Sequence, residues 1–193
     1  MKDLVAKHVI PSTKIAREVH RIFLEAFPPH ERLSRWFLYR KGLFNPRCKF
    51  LAWFDLELPN SRQPIGFTFD YSYADLKLLL FLAVSSKYRS AGYGKRILAQ
   101  IAPPKPGGVV VLQLEPLEKN AINATQRERR WKFYLQAGFR PSPFFSKEDT
   151  QSYATMIRGR ELRQAEFATV LANLMRGIAT TDVYLPKDSQ NSL

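Results

Sequence analysis

The stretch from Leu76 to Val84 is nearly all apolar, and this run limits the possible folds of the chain more than any other segment. A continuous apolar run of this kind is typical of a central β-strand that is covered on both faces. A loop with two glycines, Gly92 and Gly94, follows it, and the pattern beyond predicts a helix from Gly94 to Ile101. The sequence therefore predicts a buried strand, a short loop and a helix start in direct succession.

Helices and strands are also predicted on both sides of this segment. A first helix is predicted after Thr13, a capping residue, because apolar residues recur there at helical spacing. It ends near Phe27, before two prolines. A second helix is expected from about His30 to Lys41, with Gly42 as its terminator. Alternating or apolar patterns predict further strands at 4–10, 50–58, 65–73, 109–114 and 152–158.

Two more helices are predicted in the second half of the chain. One runs from Thr125 to Ala137, with a capping box formed by Thr125 and Glu128 and a left-handed cap at Gly138. The last helix is expected from 161 to 178, with an apolar stripe that packs on the domain or forms a dimer contact. We therefore expect a domain over 1–160, a C-terminal helix within 161–185 and a flexible polar tail over 186–193.

Composition narrows the class of protein. Hydrophobic residues make up 45% of the 193 and charged residues 24%, which excludes a disordered or collagen-like chain. Thirty Lys and Arg against 17 Asp and Glu give a net charge of +13, which favours an acidic partner such as nucleic acid, an anionic membrane or a multiply phosphorylated small molecule.

The rarer residues point to a reducing compartment. Cys48 is the lone cysteine, so an internal disulfide is excluded, and the three histidines lack the spacing of metal ligands. The longest apolar run is far below the ~20 residues that a membrane helix needs, and no apolar signal core follows the N-terminus. A cytoplasmic protein without a metal or a membrane anchor is therefore expected.

The loop after the apolar strand has the properties of a phosphate site. Glycines allow close approach to the backbone, and the N–H groups at a helix start favour an anion. Arg89, Lys95 and Arg96 add positive charge. The spacing matches neither the Walker loop nor the G-x-G-x-x-G dinucleotide motif. A solvated basic turn is the alternative interpretation.

Two motifs carry a family resemblance. Arg89-x-x-Gly92-x-Gly94, after a strand that ends Leu82-x-Val84, resembles the acyl-CoA-binding motif of the GNAT-superfamily N-acetyltransferases. The segment 130–139, in which Tyr134 precedes Gly-Phe, resembles a later helix of that family. The resemblance covers roughly 4–158. It implies an α/β (α+β) fold with a mixed, mostly antiparallel sheet that is splayed at its centre and has helices on both faces.

A finer similarity is to a bacterial subgroup whose substrates are mostly unassigned. It is carried by the segments 26–32 and 114–116, together with Asn123 and the basic residues that follow it. This similarity supplies no acceptor.

The resemblance also implies a cofactor site for acetyl-CoA. The backbone of the strand end would pair with the pantetheine arm as an added strand does. Asn123 is a candidate cofactor or loop contact. Arg127 stands where the family usually has a CoA-contacting asparagine, and either Arg127 or Asn123 would substitute for it. The predicted cofactor-binding residues are Leu82, Ala83, Val84, Arg89, Ser90, Ala91, Gly92, Tyr93, Gly94, Lys95, Asn123 and Tyr134.

Three residues are candidates for catalysis. The resemblance makes Tyr134 the general acid that protonates the departing thiolate, and a core aromatic is the alternative. Glu115 follows an apolar strand, where ligand sites are common, and would deprotonate or anchor the amine; a surface carboxylate is its alternative role. Glu31 follows a Pro-Pro break and would line the acceptor pocket; stabilisation of the first helical turn is its alternative role.

The predicted function is direct transfer of an acetyl group from acetyl-CoA to a primary amine of a small molecule or peptide. Cys48 is not expected to act as a nucleophile, because no histidine partner is indicated and this transfer needs no covalent intermediate. Two alternatives stay open: a non-catalytic CoA-binding regulatory module, and a nucleic-acid-binding protein that uses the basic cluster of Arg127, Arg129, Arg130 and Lys132. Either a monomer or a homodimer is compatible with the sequence.

Overall fold

The computed structural model of the chain describes residues 4–186. The helices are α1 (Lys14–Ala26), α2 (Arg35–Phe44), α3 (Tyr93–Gln100), α4 (Ala124–Gln136) and α5 (Gln164–Met175). The strands are β1 (Val5–His8), β2 (Cys48–Phe54), β3 (Gly66–Tyr73), β4 (Leu76–Val84), β5 (Val109–Leu114), β6 (Arg140–Glu148), β7 (Gln151–Gly159) and β8 (Thr181–Tyr184).

The strands are hydrogen-bonded in the order β1-β2-β3-β4-β5-β7-β6-β8. The predicted mixed α/β fold with a mostly antiparallel sheet is confirmed. The chain divides into two compact units. The first contains residues up to Ser72 with Leu79–Ile101, and the second contains Tyr73–Leu78 with residues from Ala102 onward. Strand β4 thus contributes its beginning to the second unit and its end to the first.

The first unit has an aromatic core behind an antiparallel sheet. Phe54 pairs with Val5, and Tyr71 pairs with Cys48, so β2 lies between β1 and β3. Phe23 of α1 meets the ring of Phe81 edge-on at 5.3 Å. Helix α1 begins as predicted, because the Thr13 hydroxyl accepts a hydrogen bond from the Ala16 N–H. Edge-to-face contacts of this kind stabilise a core beyond the area they bury.

The predicted bounds of the second helix are wrong. A short 3₁₀ turn, Pro29–Glu31, comes first, and α2 begins only after Ser34, whose hydroxyl caps the Phe37 N–H. Gly42 lies inside α2 rather than ending it. A Cβ at Gly42 would lie 2.9 Å from the Cβ of Phe50, so the glycine allows helix and strand to pack closely.

The second unit contains two strands that the sequence patterns did not predict. Strand β6 includes Pro141 and Pro143, and its pairing with β7 shifts register between Pro141 and Phe145. Prolines interrupt the alternation that identifies a strand and are tolerated at bulges, which explains the missed prediction. Strand β8 is only four residues long and pairs with the end of β6.

Helix α4 has the predicted end but a different start. Gly138 adopts φ +82°, as a left-handed cap does. The predicted Thr125–Glu128 capping box does not form, because the helix begins at Ala124 with Asn123 as the preceding residue.

Helix α5 is shorter than predicted at both ends. Its apolar stripe is buried within the chain: Phe167, Val170, Leu171, Leu174 and Met175 are each at most 2% exposed. The predicted tail lies outside the described residues from 187 onward. Across 4–186, no helix has both the length and the apolar character needed to cross a bilayer.

Candidate functional site

The main-chain N–H and C=O groups at the end of β4 point alternately toward β3 and away from it. The Ser85 N–H donates to the Ile65 carbonyl at 2.9 Å, on the side of β3. Because main-chain groups alternate along a strand, Ala83 points to the same side, and the N–H and C=O groups of Leu82 and Val84 point away from β3. A Cβ at Gly66 would lie 2.4 Å from the Ala83 carbonyl oxygen, which shows how closely β3 approaches there.

The side chains at this strand end alternate in the same way. Ala83 is buried, whereas Leu82 and Val84 are half-buried. The Arg89 Nε donates to the Val84 carbonyl at 3.3 Å, so the loop folds back on the strand end. The Ser86 hydroxyl donates to Glu25 at 3.0 Å, which fastens the start of the loop to the last turn of α1.

The loop before α3 is exposed and has left-handed backbone at two positions. Ser90 has φ +65° and Gly92 has φ +78°. Gly92 immediately precedes α3, and a Cβ placed there would meet nothing within 4 Å. Arg89 and Lys95 are exposed beside it. An open glycine, a helix start and two exposed cations form an arrangement that suits an anion.

Two residues of this segment turn away from solvent. The Tyr93 hydroxyl donates to the Asp55 carboxylate at 3.1 Å, and the Arg96 Nη1 donates to the same oxygen at 2.7 Å. The Tyr93 side chain is therefore a core group, and Arg96 is engaged by Asp55 rather than available as the third loop cation. Arg96 lowers the pKa of Asp55, while burial and then Asp55 raise the pKa of Tyr93.

Glu31 is held in the 3₁₀ turn after α1. The Arg32 guanidinium donates to the carbonyls of Leu24 at 2.9 Å and Phe27 at 2.7 Å, where α1 leaves acceptors unpaired. The Glu31 N–H donates to the Pro28 carbonyl at 3.0 Å. These bonds fix the turn, and the Glu31 side chain is half-buried in the first unit.

Glu115, in the second unit, lies at the centre of a hydrogen-bonded cluster. Its carboxylate forms ion pairs with Arg127 at 3.1 Å and Arg130 at 2.9 Å. It also accepts hydrogen bonds from the Asn123 side-chain amide at 3.0 and 3.2 Å. The side chain is 10% exposed. The Trp131 ring N–H donates to the Glu115 carbonyl at 3.1 Å. A carboxylate with this many donors is suited to anchoring α4 to the end of β5.

The hydrogen bonds around Glu115 engage Asn123 and two of the four predicted basic residues, Arg127 and Arg130. The Asn123 side-chain oxygen accepts from the Arg127 Nε at 2.8 Å, so both ends of the amide are bonded within the protein. Arg127 also donates to the Pro116 carbonyl. Of the four predicted cations, Arg129 and Lys132 are the exposed ones. Arg127 and Arg130 share the Glu115 carboxylate, and Arg127 also lies 3.4 Å from the carboxylate of Glu118.

Tyr134 packs near the end of α4, in the same unit as Glu115 and Asn123. Its ring meets Phe139 at 5.7 Å and Phe133 at 5.0 Å, each edge-on. Burial raises the pKa of Tyr134 to about 12, with the Arg130 charge opposing the shift. The phenol therefore holds its proton at neutral pH, as a proton donor must.

Asp55 is the residue of this region that the sequence patterns did not indicate. It follows β2 directly, and its partners Tyr93 and Arg96 are about forty residues further along the chain. The motif that identifies the loop contains neither Asp55 nor a signal for it. Within 4–186, no group of three or more His, Cys, Asp or Glu side chains is arranged to hold a metal ion.

Sequence comparisons find no matching family model and no matching curated protein. Structural comparison does find similar proteins. One, from Bacteroides thetaiotaomicron and assigned to the GNAT acetyltransferase family, has a TM-score of 0.69 at 20% identity over 90% of this chain and 97% of its own. Another assigned to that family, from Desulfovibrio desulfuricans, has a TM-score of 0.57 at 16% identity over 81% and 98%.

A third similar structure is the Arabidopsis thaliana protein NAA60 in complex with acetyl-CoA. Its TM-score is 0.54 at 16% identity, over 81% of this chain and 98% of its own. At these identities the comparisons establish the fold. The chain has the fold of the GNAT acetyltransferases, as the motif resemblance implied.

Proposed function

We propose that this chain transfers the acetyl group of acetyl-CoA directly to a primary amine of a small molecule or peptide. The observation that carries the proposal is the end of β4 with its loop. The main-chain groups of Leu82 and Val84 point away from β3, and an exposed loop with open backbone at Gly92 leads into α3. The end of a strand, followed by an anion site, suits a long donor that is polar along its arm and phosphorylated at its end.

The residues present fit acetyl-CoA, which supplies an activated acetyl thioester. The main chain of Leu82 and Val84 would bind the pantetheine arm. The amides around Gly92, with Arg89 and Lys95, would bind the phosphates. Two of the predicted cofactor-binding residues have other roles in this proposal. The Asn123 side chain donates a hydrogen bond to Glu115, and the Tyr93 side chain donates one to Asp55.

Tyr134 is proposed as the proton donor of the reaction. As the amine nitrogen bonds to the acetyl carbon, the carbon–sulfur bond breaks and the thiolate takes the phenol proton. A neutral, half-buried tyrosine is suited to this step because its proton is retained at the working pH. The amine loses one proton in the same overall transfer, so a base is also required.

Glu115 is a poor candidate for that base. Its two oxygens are bonded to two arginines and an amide, so the carboxylate is already engaged within the protein. We therefore propose that solvent, or Glu31 acting with solvent, receives the amine proton. Proximity of the two reactants then supplies much of the rate.

Titration calorimetry with acetyl-CoA and CoA tests the cofactor, and a thiol-release assay over a panel of amines tests the reaction. The panel includes small amines and a peptide with an unmodified N-terminus. Binding with release of CoA thiol that depends on the amine supports the proposal. Binding without turnover on any amine points instead to a non-catalytic CoA-binding module. No binding at high micromolar acetyl-CoA contradicts both.

Nucleic-acid binding is the second candidate, and the net charge of +13 favours it. The pairing of Arg127 and Arg130 with Glu115 weakens it, because paired arginines release few counterions. Affinity for single-stranded and duplex probes at several salt concentrations is the measurement. A steep loss of affinity with salt supports this function, and weak binding with a shallow slope contradicts it.

A further inference from the structure

We propose that Asp55 is a positioning residue that holds the first turn of α3 in the geometry needed to bind the phosphates of the acetyl donor. This inference rests on the proposed function, because it assigns the loop before α3 to phosphate binding. Asp55 itself would not contact the donor. It would act through Tyr93 and Arg96, the two residues of α3 that it bonds.

The geometry is that of one carboxylate spanning a whole helical turn. Tyr93 is the first residue of α3 and Arg96 is the fourth, and both donate to the same oxygen of Asp55. The other oxygen accepts the Glu57 N–H at 3.0 Å, so the carboxylate is itself fixed at the end of β2. The Asp55 side chain is 8% exposed, which makes these bonds poorly screened by solvent.

The turn needs this support. Helix α3 has eight residues, and a helix of that length is marginal by itself because nucleation is costly. Gly92, which precedes it, provides no side-chain cap. The first-turn amides therefore depend on tertiary contacts for their direction, and Asp55 contacts both the first and the fourth residue of the helix.

The charge arrangement is consistent with an indirect role. The Arg96 guanidinium lies 5.0 Å from the Tyr93 ring centroid and is paired with Asp55, so it is held against the protein rather than in the loop. The pairing also balances the negative charge of Asp55, which would otherwise repel a phosphate. Arg89 and Lys95 remain exposed beside the amides.

The test compares CoA with pantetheine, which lacks the pyrophosphate and the nucleotide. Wild type, Asp55→Asn and Asp75→Asn are titrated with each ligand by calorimetry. Asp75 is the matched control because it forms a similar Asp–Arg pair with Arg160 in the second unit. We expect Asp55→Asn to bind CoA about tenfold more weakly, as loss of one charge-assisted bond does, and to bind pantetheine as wild type does.

Kinetics adds a readout that a merely structural role would not move in this way. For Asp55→Asn the KM for acetyl-CoA should rise while kcat is retained, and Asp75→Asn should change neither. If Asp55→Asn does not fold, Tyr93→Phe removes only one of the two bonds to α3, and a smaller loss confined to CoA is then expected.

Several outcomes overturn the inference. Equal weakening of CoA and pantetheine would show a general structural effect. Unchanged CoA affinity in Asp55→Asn, with wild type binding normally, would overturn the inference and leave the proposed function standing. If wild type itself fails to bind CoA, the proposed function fails and this inference fails with it.

Discussion

Arg160 binds the carboxylate of Asp75 through two parallel hydrogen bonds, from Nε to Oδ2 at 2.8 Å and from Nη2 to Oδ1 at 2.9 Å. Asp75 lies in the turn between β3 and β4, and its carbonyl also accepts the Val109 N–H at 3.1 Å. Glu166 of α5 binds the same guanidinium at 2.7 and 3.0 Å. One arginine thus fastens the β3–β4 turn to α5 within the second unit.

Acid should weaken this pair in a defined range of pH. Arg160 lowers the pKa of Asp75 to about 2 from an ordinary value of 3.8. Because the folded pKa is the lower one, the pair stabilises the fold fully above the ordinary value and loses that contribution as pH falls toward 2. Urea unfolding of wild type and Asp75→Asn from pH 6 to 2 measures the difference. The stability gap should close between about pH 4 and pH 2, and a gap independent of pH would contradict the prediction.

Glu115→Gln should chiefly lower stability. The substitution leaves Arg127 and Arg130 without their shared countercharge in a site where Glu115 is 10% exposed. The free energy of unfolding should fall by about 2 kcal/mol, as expected for partly buried charged groups that lose a partner. Chemical denaturation and kcat are measured together. Normal stability with a large loss of kcat would instead make Glu115 the catalytic base.

Tyr134→Phe should lower turnover and leave donor affinity near wild type. Removal of a general acid costs roughly 10²-fold or more in rate, while the ring contacts with Phe133 and Phe139 remain available to phenylalanine. Tyr184→Phe in β8 is the control, since its hydroxyl bonds only Ser152 among the described contacts. The measurements are kcat and CoA affinity. A Tyr134→Phe variant at full rate would remove Tyr134 from the mechanism.

Gly92→Ala and Gly107→Ala form a matched pair. Both glycines have positive φ, +78° and +74°, and a Cβ at either would meet nothing within 4 Å. Each substitution should therefore cost about 1 kcal/mol of stability through backbone strain alone. Only Gly92→Ala should also weaken CoA binding, because its methyl group enters the open space beside the helix start. Equal CoA affinity in the two variants would place the phosphate site elsewhere.

Prediction from sequence succeeded where the signal is local. Strands β4 and β5 have the predicted bounds, because each is an apolar run with clear polar ends. The start of α1 at Thr13 and the left-handed Gly138 are also confirmed, since each depends on one residue's own chemistry. The wrong predictions have local causes as well. The prolines in β6 interrupt the alternation that would have identified a strand, and the glycine inside α2 was interpreted as a helix terminator.

Partners distant in sequence are the part that could not be predicted. Nothing near Asp55 indicates that it meets Tyr93 and Arg96, and nothing near Glu115 indicates how tightly Arg127 and Arg130 surround it. A candidate base and a candidate phosphate ligand are each engaged by a neighbour that only folding supplies. Their chemistry changes accordingly, because the availability of a charged group depends on what it is paired with.

The strand, the glycine loop and the helix start could be predicted from the sequence alone, and with them the fold class and the proposed donor. These features follow from periodicity, glycine backbone freedom and the direction of the first helical amides, all of which act over a few residues. Which charges are exposed and which are paired depends on the tertiary structure. Arg89 and Lys95 are exposed at the loop, while Arg96 and Glu115 are held within the protein. Those pairings join segments far apart in the chain, and no local pattern encodes them.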